Sequence, residues 1–239
     1  MPDFDAAKQW DVVRHGAASP GPPDGGRRRP LAGRLLAGIV IGLVLIGLAA
    51  VVGRARDLHF RFQTGIPPPT GSFDEGFYRH PVLTLVHIFP GFIFLTLGPL
   101  QFWTRLRVRW IRLHRWTGRA YLVCGLIVGL TALIMGFAIG FGGANQTTAN
   151  TVFGGIFLFC LVRAYQCVRN GKIALHREWM IRGFAIGLAI ASMRPLVGLF
   201  LVFSNLQAQE ILGIVFWLAF TIHLLTAEVW INHTRMPGA

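Results

Sequence analysis

Residues 120–162 read AYLVCGLIVGLTALIMGFAIGFGGANQTTANTVFGGIFLFCLV and contain no charged side chain. This run of 43 residues is roughly twice the ~20 apolar residues that cross one bilayer as a helix. A polar, glycine-rich segment, GGANQTT at 142–148, interrupts it near the middle. The stretch therefore predicts two membrane-spanning helices joined by a tight turn.

The whole chain has the composition of a polytopic membrane protein. Of its 239 residues, 53% are hydrophobic and 14% are charged, whereas a soluble domain has about 25% charged residues. This composition excludes a disordered chain, a disulfide-stapled secreted domain and a nucleotide-binding α/β enzyme, because none of these classes contains several bilayer-length apolar runs.

Working outward from 120–162, further apolar runs predict an all-α, polytopic helical membrane protein with about six transmembrane helices. The Pro-, Gly- and Arg-rich start of the chain cannot bury a core, which predicts a disordered tail. The predicted organisation is a tail over 1–30, a first transmembrane helix over 31–53, an outer loop over 54–80, a five-helix membrane core over 81–232 and a second tail over 233–239.

The basic residues predict the orientation of these helices. The net charge of +13 is concentrated beside the apolar runs, as expected for cytoplasmic loops, so the charge does not indicate nucleic-acid binding. With the N-terminus inside, the cytoplasmic side collects eighteen Lys and Arg residues and the outer side four. Both termini are therefore predicted to be cytoplasmic, and the basic loops are predicted to contact anionic lipid headgroups.

A short internal echo indicates a repeated hairpin. Leu-His-Arg occurs at 113–115, just before the third span, and again at 175–177, just before the fifth. The separation of 62 residues fits one pair of membrane helices with its loops. Chance is the alternative explanation for a single repeated tripeptide.

The two histidines of this echo are the leading candidates for a cofactor. A b-type haem needs two imidazoles from different helices and small residues where the ring approaches the backbone. His114 and His176 both lie at the predicted cytoplasmic boundary, and helical spacing places glycines on the same face below each of them. We therefore predict His114 and His176 as haem iron ligands, with interfacial headgroup contact as the alternative.

Three other ionisable residues lie within predicted spans, where such groups are costly and often functional. His87 and His223 form a possible second ligand pair, although they differ by about 10 Å in depth at 1.5 Å per residue. Arg194 lies on the same face as His176 and is predicted to meet a haem propionate, a quinone or another anion. Its alternative partners are Glu228 or a backbone carbonyl freed by Pro195.

The spaced motifs of the core resemble a bacterial family of predicted membrane proteins, DUF2306. These motifs are His87 with Gly91, GPLQF at 98–102, His114-Arg115-x-x-Gly118-Arg119, HREWMIR at 176–182, and Arg194. The resemblance covers about residues 80–200 and implies a multi-pass protein of the bacterial inner membrane. More loosely, the histidines are similar to those of cytochrome b561-like proteins, which implies b-type haem.

Three functions are compatible with these patterns. The first is electron transfer through a b-type haem or a quinone, with a redox partner. The second is a small transporter or proton-coupled carrier that uses His87, Arg194 and His223 and needs an aqueous cavity that reaches them. The third is a structural, sensor or lipid-interacting protein. No catalytic motif assigns an enzyme class, so catalytic residues stay unassigned.

Overall fold

The computed structural model describes residues 31–235, and helices joined by short turns and loops make up this part of the chain. The predicted tail over 1–30 and residues 236–239 lie outside the described residues. The helices are α1 (Leu31–Thr64), α2 (Phe73–Arg79), α3 (Pro81–Gln101), α4 (Thr104–Arg109), α5 (Ile111–Ala138), α6 (Gly143–Arg169), α7 (Ile173–Phe203) and α8 (Ala208–Thr234).

Within residues 31–235, six helices are long and apolar enough to cross a membrane: α1, α3, α5, α6, α7 and α8. The predicted all-α fold with six membrane-spanning helices is therefore confirmed. The chain divides into two compact units, Met1–Gly38 and Ile39–Ala239. The described part of the first unit is the start of α1, and every feature below belongs to the second.

The first helix is longer than the sequence predicts. We expect it to end near residue 53, where the apolar run stops, but α1 continues to Thr64. Asp57 and Arg61, one turn apart, are hydrogen-bonded at 2.9 and 3.0 Å and stabilise the added turns. Gly65, with φ of +67°, follows the helix. The loss of hydropathy at residue 53 marks the end of the apolar stretch but not the end of the helix.

Four helices form the centre of the second unit. α3 packs against α5, α5 against α6, α6 against α7, and α7 against α3, which closes a four-helix ring. α8 packs on the outside of this ring against α6 and α7. α1 reaches the ring at Gly47, where an added Cβ would lie 2.9 Å from Leu95 of α3 and 3.5 Å from Ala191 of α7.

Aromatic side chains fill the middle of the four-helix ring. Phe94 of α3 stacks on Tyr121 of α5 with 4.4 Å between the ring centroids. It also contacts Phe157 of α6 edge-on at 5.6 Å and Phe184 of α7 at 6.4 Å. Each of the four helices thus contributes one ring to this aromatic layer, which we define as Phe94, Tyr121, Phe157 and Phe184. The layer closes the ring to any ligand at its level.

Candidate functional site

His114 and His176 occupy equivalent positions in their helices. α5 begins at Ile111 and α7 at Ile173, so each histidine is the fourth residue of its helix. Both helices start at the same end of the molecule, together with α4 and its arginines; we call this the basic end. α5 and α7 are opposite members of the four-helix ring, so both histidines approach its basic end from different sides.

The tautomer of His176 is set by a neighbouring helix. Its Nδ1 lies 2.8 Å from the carbonyl oxygen of Ala164 on α6. A carbonyl only accepts, so Nδ1 carries the proton and donates it. The lone pair is then on Nε2, which is the arrangement of a metal-ligating histidine whose other nitrogen is held by a backbone carbonyl.

His114 lies near His176 but has no hydrogen bond to fix it. Its Nδ1 is buried and has no partner among the described residues. The imidazole is close enough to His176, Arg107 and Arg115 for their charges to interact. Buried polar atoms are normally paired with protein or with a bound molecule, so this nitrogen marks a place for a partner from outside the chain.

The two histidines differ in depth. α5 and α6 run antiparallel, and an added Cβ at Gly125 of α5 would lie 2.8 Å from Leu161 of α6. Ala164, three residues further along α6, is therefore opposite the turn of α5 that contains Tyr121. Because His176 bonds to Ala164, it is level with Tyr121 and lies about two helical turns deeper than the other histidine.

Tyr121 is a site residue that the sequence analysis missed. Its side chain is 0% exposed, and its hydroxyl has no hydrogen-bond partner among the described residues. The hydroxyl lies close to the thiol of Cys160 on α6. A signal was present in the sequence, because Tyr121 follows His114 by seven residues and shares its helix face.

The glycine faces do not leave a slot for a flat ligand. An added Cβ at Gly129 would lie 2.5 Å from Leu158, and one at Gly187 would lie 2.6 Å from Phe94. At Gly98 it would overlap Phe184. These glycines allow large side chains to pack against the backbone. The space for a ligand that we expected below the histidines is filled, so a ligand is confined to the basic side of the aromatic layer.

The donor set at the basic end still fits haem. It consists of two imidazoles, one with its tautomer fixed for ligation, and the unpaired Nδ1 of His114. Residues 31–235 contain no group of three or more His, Cys, Asp and Glu side chains arranged to hold a metal ion. Iron ligation in this part of the chain therefore depends on the two histidines.

The second predicted histidine pair has separate surroundings. His87 of α3 lies 2.8 Å from the hydroxyl of Thr131 on α5, and that hydroxyl donates to the carbonyl of Ile127 at 2.7 Å. His87 therefore donates from Nδ1 to the threonine oxygen. His223 of α8 faces the backbone of Ala185 on α7. Each imidazole thus has its own neighbouring helix, and the structure does not bring the two together.

Arg194 lies far from His176 although both are on α7. Eighteen residues separate them, which is about 27 Å at 1.5 Å per residue. A cavity of about 540 Å³ opens at the same end as Arg194, between the α5–α6 turn and the start of α8. None of His87, Arg194 and His223, the residues of the transporter hypothesis, lines this cavity.

Glu228, predicted as a protein partner of Arg194, pairs with a different arginine. Its carboxylate accepts two hydrogen bonds from Arg182 at 2.5 and 2.9 Å. Arg182 is one turn after Glu178 on α7, and Glu178 accepts two hydrogen bonds from Arg235 at 2.9 and 3.0 Å. The prediction of an Arg194–Glu228 pair is wrong because α8 places Glu228 opposite the start of α7.

These four side chains form an alternating charge network between α7 and α8, which we define as Glu178, Arg182, Glu228 and Arg235. Glu178 is buried, at 8% exposure, and lies 3.7 Å from Arg182 as well. The carboxylate of Glu178 raises the pKa of Arg235, which therefore keeps its charge at any physiological pH. The network fixes the end of α8 against α7 beside His176.

The basic end also has an exposed aromatic and cationic surface. In α4, Leu106 is buried at 9% exposure while the arginines on either side of it are exposed. Trp103, Trp110 and Trp116 are 49%, 57% and 68% exposed. Tryptophan and arginine with this exposure are typical of the membrane–water interface.

Comparison with known proteins identifies the family. The family model described as "Predicted membrane protein (DUF2306)" matches residues 84–231, well over half of the chain. The matched region runs from α3 to α8 and includes the four-helix ring, both histidines and Tyr121. No curated protein and no solved structure matches the chain significantly. The chain belongs to the DUF2306 family of predicted membrane proteins.

Proposed function

We propose that this integral membrane protein transfers electrons through a b-type haem held at the basic end, with His176 and His114 as axial ligands. The hydrogen bond from His176 Nδ1 to the carbonyl of Ala164 carries the proposal. It orients the ring and leaves Nε2 unprotonated, as an iron ligand requires. The buried, unpaired nitrogen of His114 supplies the second donor.

The chain's own residues have distinct roles in this proposal. His176 and His114 bind and orient the group, and the aromatic layer below excludes water from the rest of the ring. The charge network holds α7 against α8 and so fixes the helix that carries His176. The haem itself, when bound, supplies a one-electron carrier.

An absorption spectrum of detergent-purified protein tests the proposal. Protein from haem-replete cells is expected to show a Soret band, and a sharp α band after reduction with dithionite. His176→Ala and His114→Ala should each lose these bands. His59→Ala is the matched control, because His59 is exposed on α1. Protein without a Soret band would contradict the proposal.

A quinone is the second candidate ligand, and the unpaired hydroxyl of Tyr121 favours it. A quinone has two acceptor oxygens on a flat apolar ring. Donors two turns apart, Tyr121 and His114, suit such acceptors, and a ring beside Tyr121 and Phe94 finds aromatic contacts. This candidate predicts colourless protein that releases quinone on solvent extraction, with less quinone retained by Tyr121→Phe than by the wild type.

We further propose that the basic end faces the cytoplasm of a bacterial inner membrane and contacts anionic headgroups. The exposed arginines of α4 and the three exposed tryptophans support this orientation. Binding of the purified protein to phosphatidylglycerol vesicles should fall as salt is raised, because exposed charges are screened. Salt-independent binding would contradict the headgroup contact.

A further inference from the structure

Arg194 has no protein partner among the described residues. Neither partner expected from the sequence is used, because Glu228 bonds to Arg182 and no backbone carbonyl accepts from Arg194. Its side chain is exposed on the surface of the helix assembly. Arginine cannot shed its charge in a protein, so this guanidinium needs an anion in its apolar surroundings.

A second arginine is fixed beside it. Arg54 of α1 is close enough to Arg194 for their charges to interact. Asp74 accepts a hydrogen bond from Arg54 at 2.6 Å, and the Arg54 guanidinium lies 4.2 Å from the centroid of the Phe77 ring. Asp57 of α1 bonds to Arg61. The nearby carboxylates are thus already engaged, and Arg194 adds a positive charge that the protein does not balance.

The two arginines lie at one depth, near one hydrocarbon thickness from the basic end. Arg194 is about 27 Å from His176 along α7, and the hydrocarbon core of a bilayer is about 30 Å thick. Arg54 directly follows the apolar segment of α1, residues 35–53. Both observations place the pair close to the opposite boundary of the bilayer.

The surface around Arg194 suits an acyl chain. One turn before it on α7, Ile190 is 45% exposed, and one turn after it, Gly198 has open space where a Cβ would be. Leu201, a further turn along, is 53% exposed. The positive charge therefore lies within a continuous apolar face, which a lipid can cover and a free anion cannot.

We propose that Arg194 and Arg54 bind the phosphate group of an anionic phospholipid at the end of the bundle opposite to the histidines. Guanidinium groups bind phosphate oxygens in a bidentate manner. The lipid phosphate lies between α7 and α1, and one acyl chain runs along the exposed face of α7. This binding links α1 to the four-helix ring through a lipid.

Native mass spectrometry of delipidated protein in detergent tests this site. The probe is dioleoyl phosphatidylglycerol, titrated against the wild type, Arg194→Gln, Arg194→Lys and Arg56→Gln. Arg56 is the matched control, because it is exposed on α1 two residues after Arg54 and has no ion pair among the described residues. Size-exclusion profiles verify that each variant is folded.

Arg194→Gln is expected to weaken the tightest lipid site by about tenfold, as for loss of a charge-assisted hydrogen bond. Arg194→Lys should retain part of the affinity, and Arg56→Gln should match the wild type. Equal affinity of the wild type and Arg194→Gln would overturn the site. Equal binding of phosphatidylcholine, or saturation by inorganic phosphate alone, would overturn the assignment to an anionic lipid.

Discussion

At the scale of single residues, the hydroxyl of Tyr121 most needs an explanation. It is 0% exposed and unpaired, although a phenylalanine would fill the same space between Phe94 and Cys160. A buried donor without a partner costs about 1–3 kcal/mol. In ligand-free protein, Tyr121→Phe should therefore leave the free energy of unfolding unchanged or raise it by about 1 kcal/mol. Denaturant unfolding in detergent measures this difference.

With the ligand bound, the same substitution should have the opposite effect, because the hydroxyl then has a partner. Phe94→Ala is the comparison, since it removes the stacked ring and should destabilise both forms by about 3 kcal/mol or more. A loss of stability on Tyr121→Phe in the ligand-free form would contradict this assignment, because it would mean that the hydroxyl has a protein partner.

The charge network gives a second prediction at the residue scale. Glu178 is 8% exposed and serves two arginines, whereas the side chain of Glu228 is 38% exposed and serves one. Glu178→Gln should lower the free energy of unfolding by about 2–3 kcal/mol, because breaking a buried ion pair leaves an unpaired charge. Glu228→Gln should lower it by about 1 kcal/mol, because water screens the exposed side.

Thermal unfolding of both variants and of the double variant measures these effects. The double variant should lose less than the sum, since both carboxylates share Arg182. Additive losses, or equal losses from the two single variants, would show that the four side chains do not act as one network.

At the scale of the helix, the glycines of α7 separate packing from space. At Gly187 an added Cβ would lie 2.6 Å from Phe94 and 3.4 Å from Phe157, whereas at Gly198 it would meet nothing within 4 Å. Gly187→Ala should destabilise the protein by about 1–3 kcal/mol through overpacking, because the Phe94 ring is held on several sides. Gly198→Ala should be neutral or slightly stabilising.

The two alanine variants are matched, because they lie on the same helix and differ only in their neighbours. Thermal unfolding in detergent compares them directly. Tolerance of alanine at Gly187 would mean that the aromatic layer leaves free volume, and would restore the slot for a flat ligand that the sequence suggests.

At the scale of the whole molecule, the orientation is a prediction that the charges make. Alkaline phosphatase, which is active only outside the cytoplasm, should be inactive when fused after residue 239. It should be active when inserted in the loop between α7 and α8. This follows from eighteen basic residues on one side and four on the other. The reverse pattern of activity would place the basic end outside.

Much of the fold was predictable from the sequence. Six apolar runs correspond to six helices, because chain length and hydropathy alone decide whether a segment spans a bilayer. The end of α1 was not predictable in this way. Hydropathy falls at residue 53, but local bonds such as Asp57 to Arg61 continue the helix beyond it.

The candidate site was predictable only in part. The repeated Leu-His-Arg places His114 and His176 at equivalent helix positions. Side-chain partners depend on which helices become neighbours, however, and one sequence does not contain that information. Glu228 meets Arg182 because α8 packs on α7. For the same reason, the glycines that suggested a ligand slot receive Phe94 and Leu158.

The most direct test of the central claim is the reduced-minus-oxidised absorption spectrum of purified protein, recorded for the wild type, His176→Ala and the His59→Ala control. The proposed function predicts a Soret band and a sharp α band in the wild type and the control, and loss of both bands in His176→Ala. Wild-type protein without a Soret band, or bands that persist in His176→Ala, would contradict haem ligation by this histidine.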